Sequence, residues 1–159
     1  MIKYFTYGSN MDKDDLDDWC TDRGHPLISF SNVTPVMLNG YELVFNYFST
    51  GRNGGAANIM QSPEKRTYGL LVELEESELE IIRVKEGYPR YYDEITIDVI
   101  TFDGNLISDV ITYKVVEERE KAVHQPPTEY YLNLIINAAR NYDFPSEYIS
   151  YLESIEIAE

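Results

Sequence analysis

The segment YFTYGSNM, residues 4–11, decides how the fold begins. Residues 3–7 are largely aromatic and favour β structure, so they predict a strand that Gly8 ends. Ser9 and Asn10 follow, and their side chains can cap the helix that is predicted over the next residues. The segment therefore predicts a strand, a tight loop and a helix in direct succession.

The middle of the chain is rich in β-branched and aromatic residues that are interrupted by turn signals. Asn39 and Gly40 predict a hairpin turn, because an Asn-Gly pair readily adopts the left-handed conformations that such turns require. The loop TGRNGG, residues 50–55, precedes a predicted short strand over residues 56–60, and a further strand is predicted over residues 67–74. This region therefore predicts several strands.

A helix is predicted over the next segment, EESELEIIRVKEG, residues 75–87. Ser77 is its predicted N-cap, Glu80 completes a capping box, and Gly87 stands where the end of a helix favours glycine. Beyond this helix the pattern predicts two strands and then two helices, over residues 91–102, 106–116, 126–142 and 144–155.

The order of these elements selects the fold class. A strictly parallel α/β sheet needs a helix between most of its strands, and this order does not supply them. The sequence therefore predicts a single α+β domain over residues 1–159, a small mixed β-barrel with flanking helices. The single cysteine, Cys20, lies on the apolar stripe of the first predicted helix and is expected in the core.

Charge and composition narrow the range of partners. With 13 Lys and Arg against 28 Asp and Glu, the chain has a formal charge of −15, which repels nucleic acid and anionic membranes. We find no signal peptide and no apolar stretch of membrane-spanning length, so we expect a cytoplasmic protein. His25 and His124 lack partners at metal-ligand spacing, and no metal site is predicted.

Glu86 is the most informative charged residue in the chain. Counted along the predicted helix, it falls on the same stripe as the apolar residues Leu79 and Ile82. Burial there raises the pKa of a carboxyl group toward the range of a general base near neutral pH. If the last helical turn is frayed, Glu86 lies in solvent instead, and helix spacing alone leaves both interpretations open.

The loop after the first strand offers the complementary half of a site. Backbone N–H groups in a glycine-containing turn that opens a helix favour a carboxylate or a developing oxyanion, although an ordinary capped turn has the same pattern. The loop lacks the further glycines and the lysine of nucleotide-binding loops. Ser9 does not stand in a nucleophile elbow, so a serine hydrolase is not indicated.

Four segments, in this order along the chain, carry a resemblance to a known family. They are YFTYGSNM, GGAANIMQSPEKRTYGLLVEL (residues 54–74), VKEGYPRYYDEITIDV (residues 84–99) and PPTEYYLNLIINAARNYDFPSEYISYL (residues 126–152). Together they resemble the γ-glutamylcyclotransferase family, also called the AIG2-like or butirosin-G-like group. The first segment is similar to the family's substrate loop, and the third is similar to the segment with its catalytic glutamate.

The resemblance implies a cofactor-free enzyme that converts a γ-glutamyl amide, of an amino acid or of an amine, into 5-oxoproline and the free amine. It implies that Glu86 is the general acid/base and that no metal takes part. The residues implied in binding the small-molecule substrate are Tyr7, Gly8, Ser9, Asn10 and Tyr130. The adjacent Tyr131 and the pair Tyr91 and Tyr92 are alternatives to Tyr130, and we expect a monomer or a homodimer.

This chemistry agrees with the residues, because the substrate's own α-amine is the nucleophile and no Ser, Cys or metal is needed. The Tyr-Gly-Ser-Asn loop resembles enzymes acting on γ-glutamyl amino acids and bacterial enzymes that deprotect aminoglycoside-type intermediates. The negative charge would suit such a polycationic leaving group. A non-catalytic member of the fold that binds a small carboxylate is a further alternative. For Arg52, in the glycine loop, a solvated side chain is expected.

Overall fold

A closed barrel of five β-strands, accompanied by four α-helices, makes up the fold. The computed structural model of the chain describes residues 1–159. The strands are β1 (Ile2–Thr6), β2 (Ser31–Ser49), β3 (Gly54–Leu74), β4 (Tyr92–Thr101) and β5 (Leu106–Val115). The helices are α1 (Lys13–Asp22), α2 (Glu76–Glu86), α3 (Glu129–Asn141) and α4 (Ser146–Glu153), and short 3-10 helices span Ser9–Met11 and Glu117–Arg119.

The barrel is mixed, as the sequence predicts. Its strand order is β1-β3-β2-β4-β5, and the pairs β1–β3, β3–β2, β2–β4 and β4–β5 are antiparallel. The ring is closed by a parallel contact between β1 and β5, with Tyr4 opposite Ile111. Strand β1 is therefore paired on both sides, which holds its carboxyl end, and the turn that follows it, in a fixed place.

The long hairpin of β2 and β3 corrects two predictions. The predicted turn at Asn39 and Gly40 is wrong, because both residues lie inside β2, at a shift in its register with β3. Gly40 has a φ of 84°, in the left-handed region. This conformation occurs at an irregularity within the strand and not in a turn. The chain reverses at residues 50–53, and the strands predicted over residues 56–60 and 67–74 are parts of β3.

The caps of α2 also differ from the prediction. Glu75 is the N-cap rather than Ser77, and its backbone N–H donates to Glu78 Oε1 over 2.8 Å, so Glu78 takes the place predicted for Glu80. The side chain of Glu75, two residues before Ser77, supplies the oxygen that caps the helix, so the helix starts there. Gly87 ends α2 as predicted, in the left-handed conformation with a φ of 70°.

Helix α1 is capped by Asp12, whose Oδ1 accepts a hydrogen bond from the N–H of Asp15 over 2.9 Å. The prediction that Ser9 and Asn10 cap this helix is therefore wrong. Both residues lie in the short 3-10 helix between β1 and α1, and both are buried. Because neither side chain caps α1, both are available to the cavity described below.

The carboxy-terminal helices cover the barrel with the apolar faces that the sequence predicts. Tyr131, Ile135 and Ala138 of α3 are all buried, and they belong to the main hydrophobic core. Cys20 of α1 is fully buried in the same core, as expected. None of the helices has the length and apolar character that crossing a membrane requires.

The segment that leads into α3 lies directly on the start of β3. The N–H of Gly55 donates to the carbonyl oxygen of Pro126 over 2.9 Å. A Cβ atom at Gly55 would stand 1.7 Å from the carbonyl oxygen of Gln125, so only glycine permits this approach. The contact fixes where α3 begins, and α3 carries part of the wall of the site.

We expect Gly55→Ala to lower the free energy of unfolding by about 1–3 kcal/mol, because the backbone at Gln125 must move to admit the added carbon. Urea denaturation followed by circular dichroism measures this change. Gly51→Ala is the matched control, since a Cβ there comes no closer than 3.8 Å to another residue's atoms. Equal losses of stability in the two variants would contradict this description of the contact.

Candidate active site

A small cavity lies at the carboxyl end of β1, next to the last residue of α2. Its volume is about 40 Å³. Five of the residues predicted from sequence line it together: Tyr7, Gly8, Ser9, Asn10 and Glu86. The fold thus brings the loop after β1 and the glutamate at the end of α2 to one place, although they are far apart in the sequence.

Asn10 holds the carboxyl group of Glu86. Its Nδ2 donates to Glu86 Oε1 over 2.9 Å and to the hydroxyl oxygen of Tyr4 over 3.0 Å. Its Oδ1 accepts a hydrogen bond from Lys85 Nζ over 2.7 Å. The amide therefore has one orientation that satisfies all three neighbours, with nitrogen toward the carboxylate and oxygen toward the ammonium group.

Burial raises the pKa of the Glu86 carboxyl group above its ordinary value. The positive charge of Lys85, the hydrogen bond from Asn10 and the charge of Arg52 act in the opposite direction, but they are smaller effects. Glu86 is half-buried as a residue, with its carboxyl group turned into the cavity. The prediction of an inward-facing Glu86 therefore agrees with its position in the structure, and the frayed, solvated alternative does not.

Tyrosine side chains form the rigid wall of the cavity. Tyr7 donates its hydroxyl to the carbonyl oxygen of Tyr113 over 2.6 Å, and Tyr92 donates to the carbonyl oxygen of Ala57 over 2.9 Å. Tyr131 accepts a hydrogen bond from the N–H of Ala57 over 3.1 Å. Burial raises the pKa of Tyr7, Tyr92 and Tyr131, so these hydroxyl groups stay neutral at physiological pH.

Tyr131, rather than Tyr130, lines the cavity. The exposed fraction of Tyr130 is 63%, whereas that of Tyr131 is 5%. Tyr131 shares the inward face of α3 with Ile135, and Tyr130 lies one position earlier, which turns it away from the barrel. The prediction that Tyr130 lines the pocket is therefore wrong. The apolar stripe of α3 was the sequence signal that distinguishes the two.

The expectation of a solvated Arg52 is also wrong. Its guanidinium group donates to both carboxylate oxygens of Asp15, over 3.1 Å and 2.7 Å, and to Ser9 Oγ over 3.1 Å. It lies 5.2 Å from the centre of the Tyr131 ring. The pair with Asp15 joins the loop between β2 and β3 to α1 and holds the hydroxyl group of Ser9.

From the sequence, Tyr92 is only one of the alternatives to Tyr130, and no site role is predicted for Tyr4, Tyr113 or Lys85. Tyr4, Tyr92 and Tyr113 line the cavity, and Lys85 contacts Asn10. Tyr4 was visible as an inward position of β1, but the other two tyrosines depend on how β4 and β5 close the barrel. Lys85 was visible only as the neighbour of Glu86, and a lysine in that position is ordinarily solvated.

A groove of about 380 Å³ adjoins the cavity and leads from Glu86 to the surface. Ser9, Glu86, Tyr92 and Tyr131 line both the cavity and the groove. The carboxyl group can therefore be reached from outside, and a molecule larger than the cavity can place one end against Glu86 while the rest lies in the groove.

The chain is similar to known proteins in its sequence and in its fold. The profile of the AIG2-like family matches residues 66–152. The chain is 30% identical to gamma-glutamylcyclotransferase of Mus musculus over 161 residues and to that of Homo sapiens over 162 residues, covering 96% of this chain and 78% of each relative. A solved gamma-glutamyl cyclotransferase structure superposes with a TM-score of 0.81 at 26% identity, over 99% of this chain and 89% of that chain.

We expect Tyr131→Phe to lower the free energy of unfolding by about 1–3 kcal/mol, because the N–H of Ala57 loses its partner in a buried place. Thermal or urea denaturation measures the loss. Tyr130→Phe removes the same hydroxyl group from an exposed neighbour and should leave stability unchanged within about 0.5 kcal/mol. If the Tyr130 variant were the less stable of the two, the assignment of the inward face of α3 would be wrong.

Proposed function

This chain belongs to the AIG2-like family, and on that premise we propose that it is a γ-glutamylcyclotransferase that releases 5-oxoproline and a free amine from a γ-glutamyl amide. The observation that carries the proposal is the position of Glu86, in a cavity formed with the loop after β1. A base of raised pKa beside a fixed set of donors is what this reaction requires of a protein.

The reaction needs no nucleophile from the protein. The α-amine of the γ-glutamyl group attacks its own γ-carbonyl carbon, so that a new C–N bond closes a five-membered ring. Glu86 accepts the proton that the α-amine loses and returns it to the leaving nitrogen as the old C–N bond breaks. The two products together contain every atom of the substrate, so water and a cofactor have no part in the balance.

The two oxygens of Glu86 have different surroundings in this scheme. Oε1 accepts the hydrogen bond from Asn10, while Oε2 accepts none from the protein and is free to face the α-amine. The first N–H groups of the Ser9–Met11 turn have no partner within the turn, and Gly8 and Ser9 line the cavity. We assign these N–H groups to the oxyanion of the tetrahedral intermediate.

The leaving amine lies toward the groove in this proposal. The groove and an adjoining, outer hollow share three cationic residues, Arg23, Arg52 and Lys85, and the hollow is also lined by Asp15, Asp18 and Asp22. Because Arg23 lies in the groove and Glu86 is the only acidic residue that lines it, a leaving group that is an amino acid has better support there than a polycationic amine of the aminoglycoside type. The latter is favoured only by the net charge of the chain and by the acidic residues of the outer hollow.

Incubating the protein with a panel of γ-glutamyl amino acids and γ-glutamyl amines tests the proposal, with 5-oxoproline as the measured product. We expect Glu86→Gln to reduce kcat by roughly 10²- to 10⁴-fold, because glutamine cannot carry the proton. Its fold should be retained, since the uncharged side chain is easier to bury. The matched control is Glu76→Gln, an exposed position of the same helix, which should keep full activity.

Two results would count against this assignment. A wild-type protein that releases no 5-oxoproline from any member of the panel would refute the proposed reaction. A fully active Glu86→Gln variant would remove Glu86 from it. Binding of γ-glutamyl compounds without turnover would support the alternative of a ligand-binding protein with this fold.

The dependence of kcat/KM on pH should show the raised pKa of Glu86. Only the ionised carboxylate can accept the proton, so activity falls as the pH decreases through that pKa. We expect the acid limb to lie above the ordinary glutamate value of about 4.3. The rise of this pKa is limited by Lys85, Asn10 and Arg52, each of which favours the ionised carboxylate. An acid limb at the ordinary value would contradict a buried carboxyl base.

A further inference from the structure

Lys85 carries an ammonium group that the protein leaves incompletely satisfied. Its Nζ makes one hydrogen bond to a side chain, with the neutral oxygen of Asn10, and it has no carboxylate oxygen within 4.0 Å. Arg52, the other cation beside Glu86, donates to both oxygens of Asp15 and to Ser9. Only one of the two cations is therefore available for a ligand.

The position of Lys85 makes this lack of partners significant. The side chain lines the groove that leads to Glu86 and also the outer hollow that adjoins the groove, and it is half-buried there. Burial lowers the pKa of the Lys85 ammonium group, because removal from water disfavours its charged form. Charged groups removed from water are normally paired, so an anionic oxygen supplied from the groove would complete the arrangement.

We propose that Lys85 binds the α-carboxylate of the γ-glutamyl group while Glu86 faces the α-amine on the same carbon. This inference rests on the proposed function and adds a requirement to it, namely that the substrate carries a free α-carboxylate. Lys85 is then a substrate-binding residue that selects γ-glutamyl compounds over their α-amides and α-esters.

The geometry around Asn10 indicates that the anionic group bound by Lys85 is the α-carboxylate and not another anionic group of the substrate. One amide group contacts both Glu86 Oε1 and Lys85 Nζ, over 2.9 Å and 2.7 Å, so the amide of Asn10 lies between the two charged groups and sets their separation at about the width of one functional group. The amine and carboxylate of an α-amino acid are attached to one carbon atom and match that separation. A carboxylate on the leaving amine lies beyond the γ-carbon and therefore farther along the groove.

The experiment compares a γ-glutamyl amino acid with its α-carboxamide, in which the α-carboxylate is replaced by a neutral amide. Wild-type protein should show kcat/KM lower by about 10- to 100-fold on the carboxamide, the range expected for a lost hydrogen bond between charged groups. Lys85→Met should show a similar loss on the parent substrate and little further loss on the carboxamide. Lys85→Arg should keep part of the discrimination, and Lys65→Met, at an exposed position of β3, is the matched control.

Several outcomes would overturn the inference. If Lys85→Met keeps the wild-type preference for the carboxylate, another group binds it. If the variant loses activity equally on both substrates, Lys85 acts only by orienting Asn10. A loss confined to γ-glutamyl amino acids, with γ-glutamyl alkylamines unaffected, would place the leaving group's carboxylate at Lys85. A wild type that produces no 5-oxoproline from any of these compounds would refute the proposed function itself, and the inference with it.

A second measurement does not require turnover. Calorimetric titration with 5-oxoproline and with its carboxamide compares the same two groups on a product-like ligand. Wild-type protein should bind 5-oxoproline the more tightly of the two, and Lys85→Met should bind both with similar, weaker affinity. Equal affinities in the wild type would contradict a carboxylate contact at Lys85.

Discussion

The hydrogen bond from Asn10 Nδ2 to Glu86 Oε1 is the contact on which the candidate site depends. It joins the turn after β1 to the last residue of α2, two segments that are 76 positions apart. Gly87 ends the helix directly after the glutamate, so α2 delivers the carboxyl group to the cavity and extends no further. On the other side, the pairing of β1 with both β3 and β5 fixes the turn that carries Asn10.

The surroundings of Glu86 shift the pKa of its carboxyl group in opposite directions. Burial alone would favour the protonated form, which cannot act as a base, and full exposure would give a carboxylate of low basicity. Lys85, Asn10 and Arg52 oppose the effect of burial without cancelling it. The two cations differ in another way, since Arg52 is held by Asp15 and serves the structure, whereas Lys85 has capacity left for a ligand.

Much of the fold and the centre of the site could be predicted from local patterns. The order of strands and helices follows from hydrophobic periodicity and turn residues, and the inward direction of Glu86 follows from its spacing to Leu79 and Ile82. The caps and turns were less predictable. Several acidic residues compete to begin α2, and the Asn39–Gly40 pair suits a bulge as well as a turn, so the outcome depends on the strand opposite.

The sequence by itself determined the element order, the loop after β1 and the glutamate at the end of α2, because each depends on residues within one strand or a few helical turns. Only the tertiary structure decided that Arg52 pairs with Asp15, 37 positions away, and that Lys85 lies beside Asn10. Partners of this kind are set by the closure of the barrel, which brings distant segments together. Whether a charged side chain is solvated, paired or left open for a ligand depends on those neighbours in space.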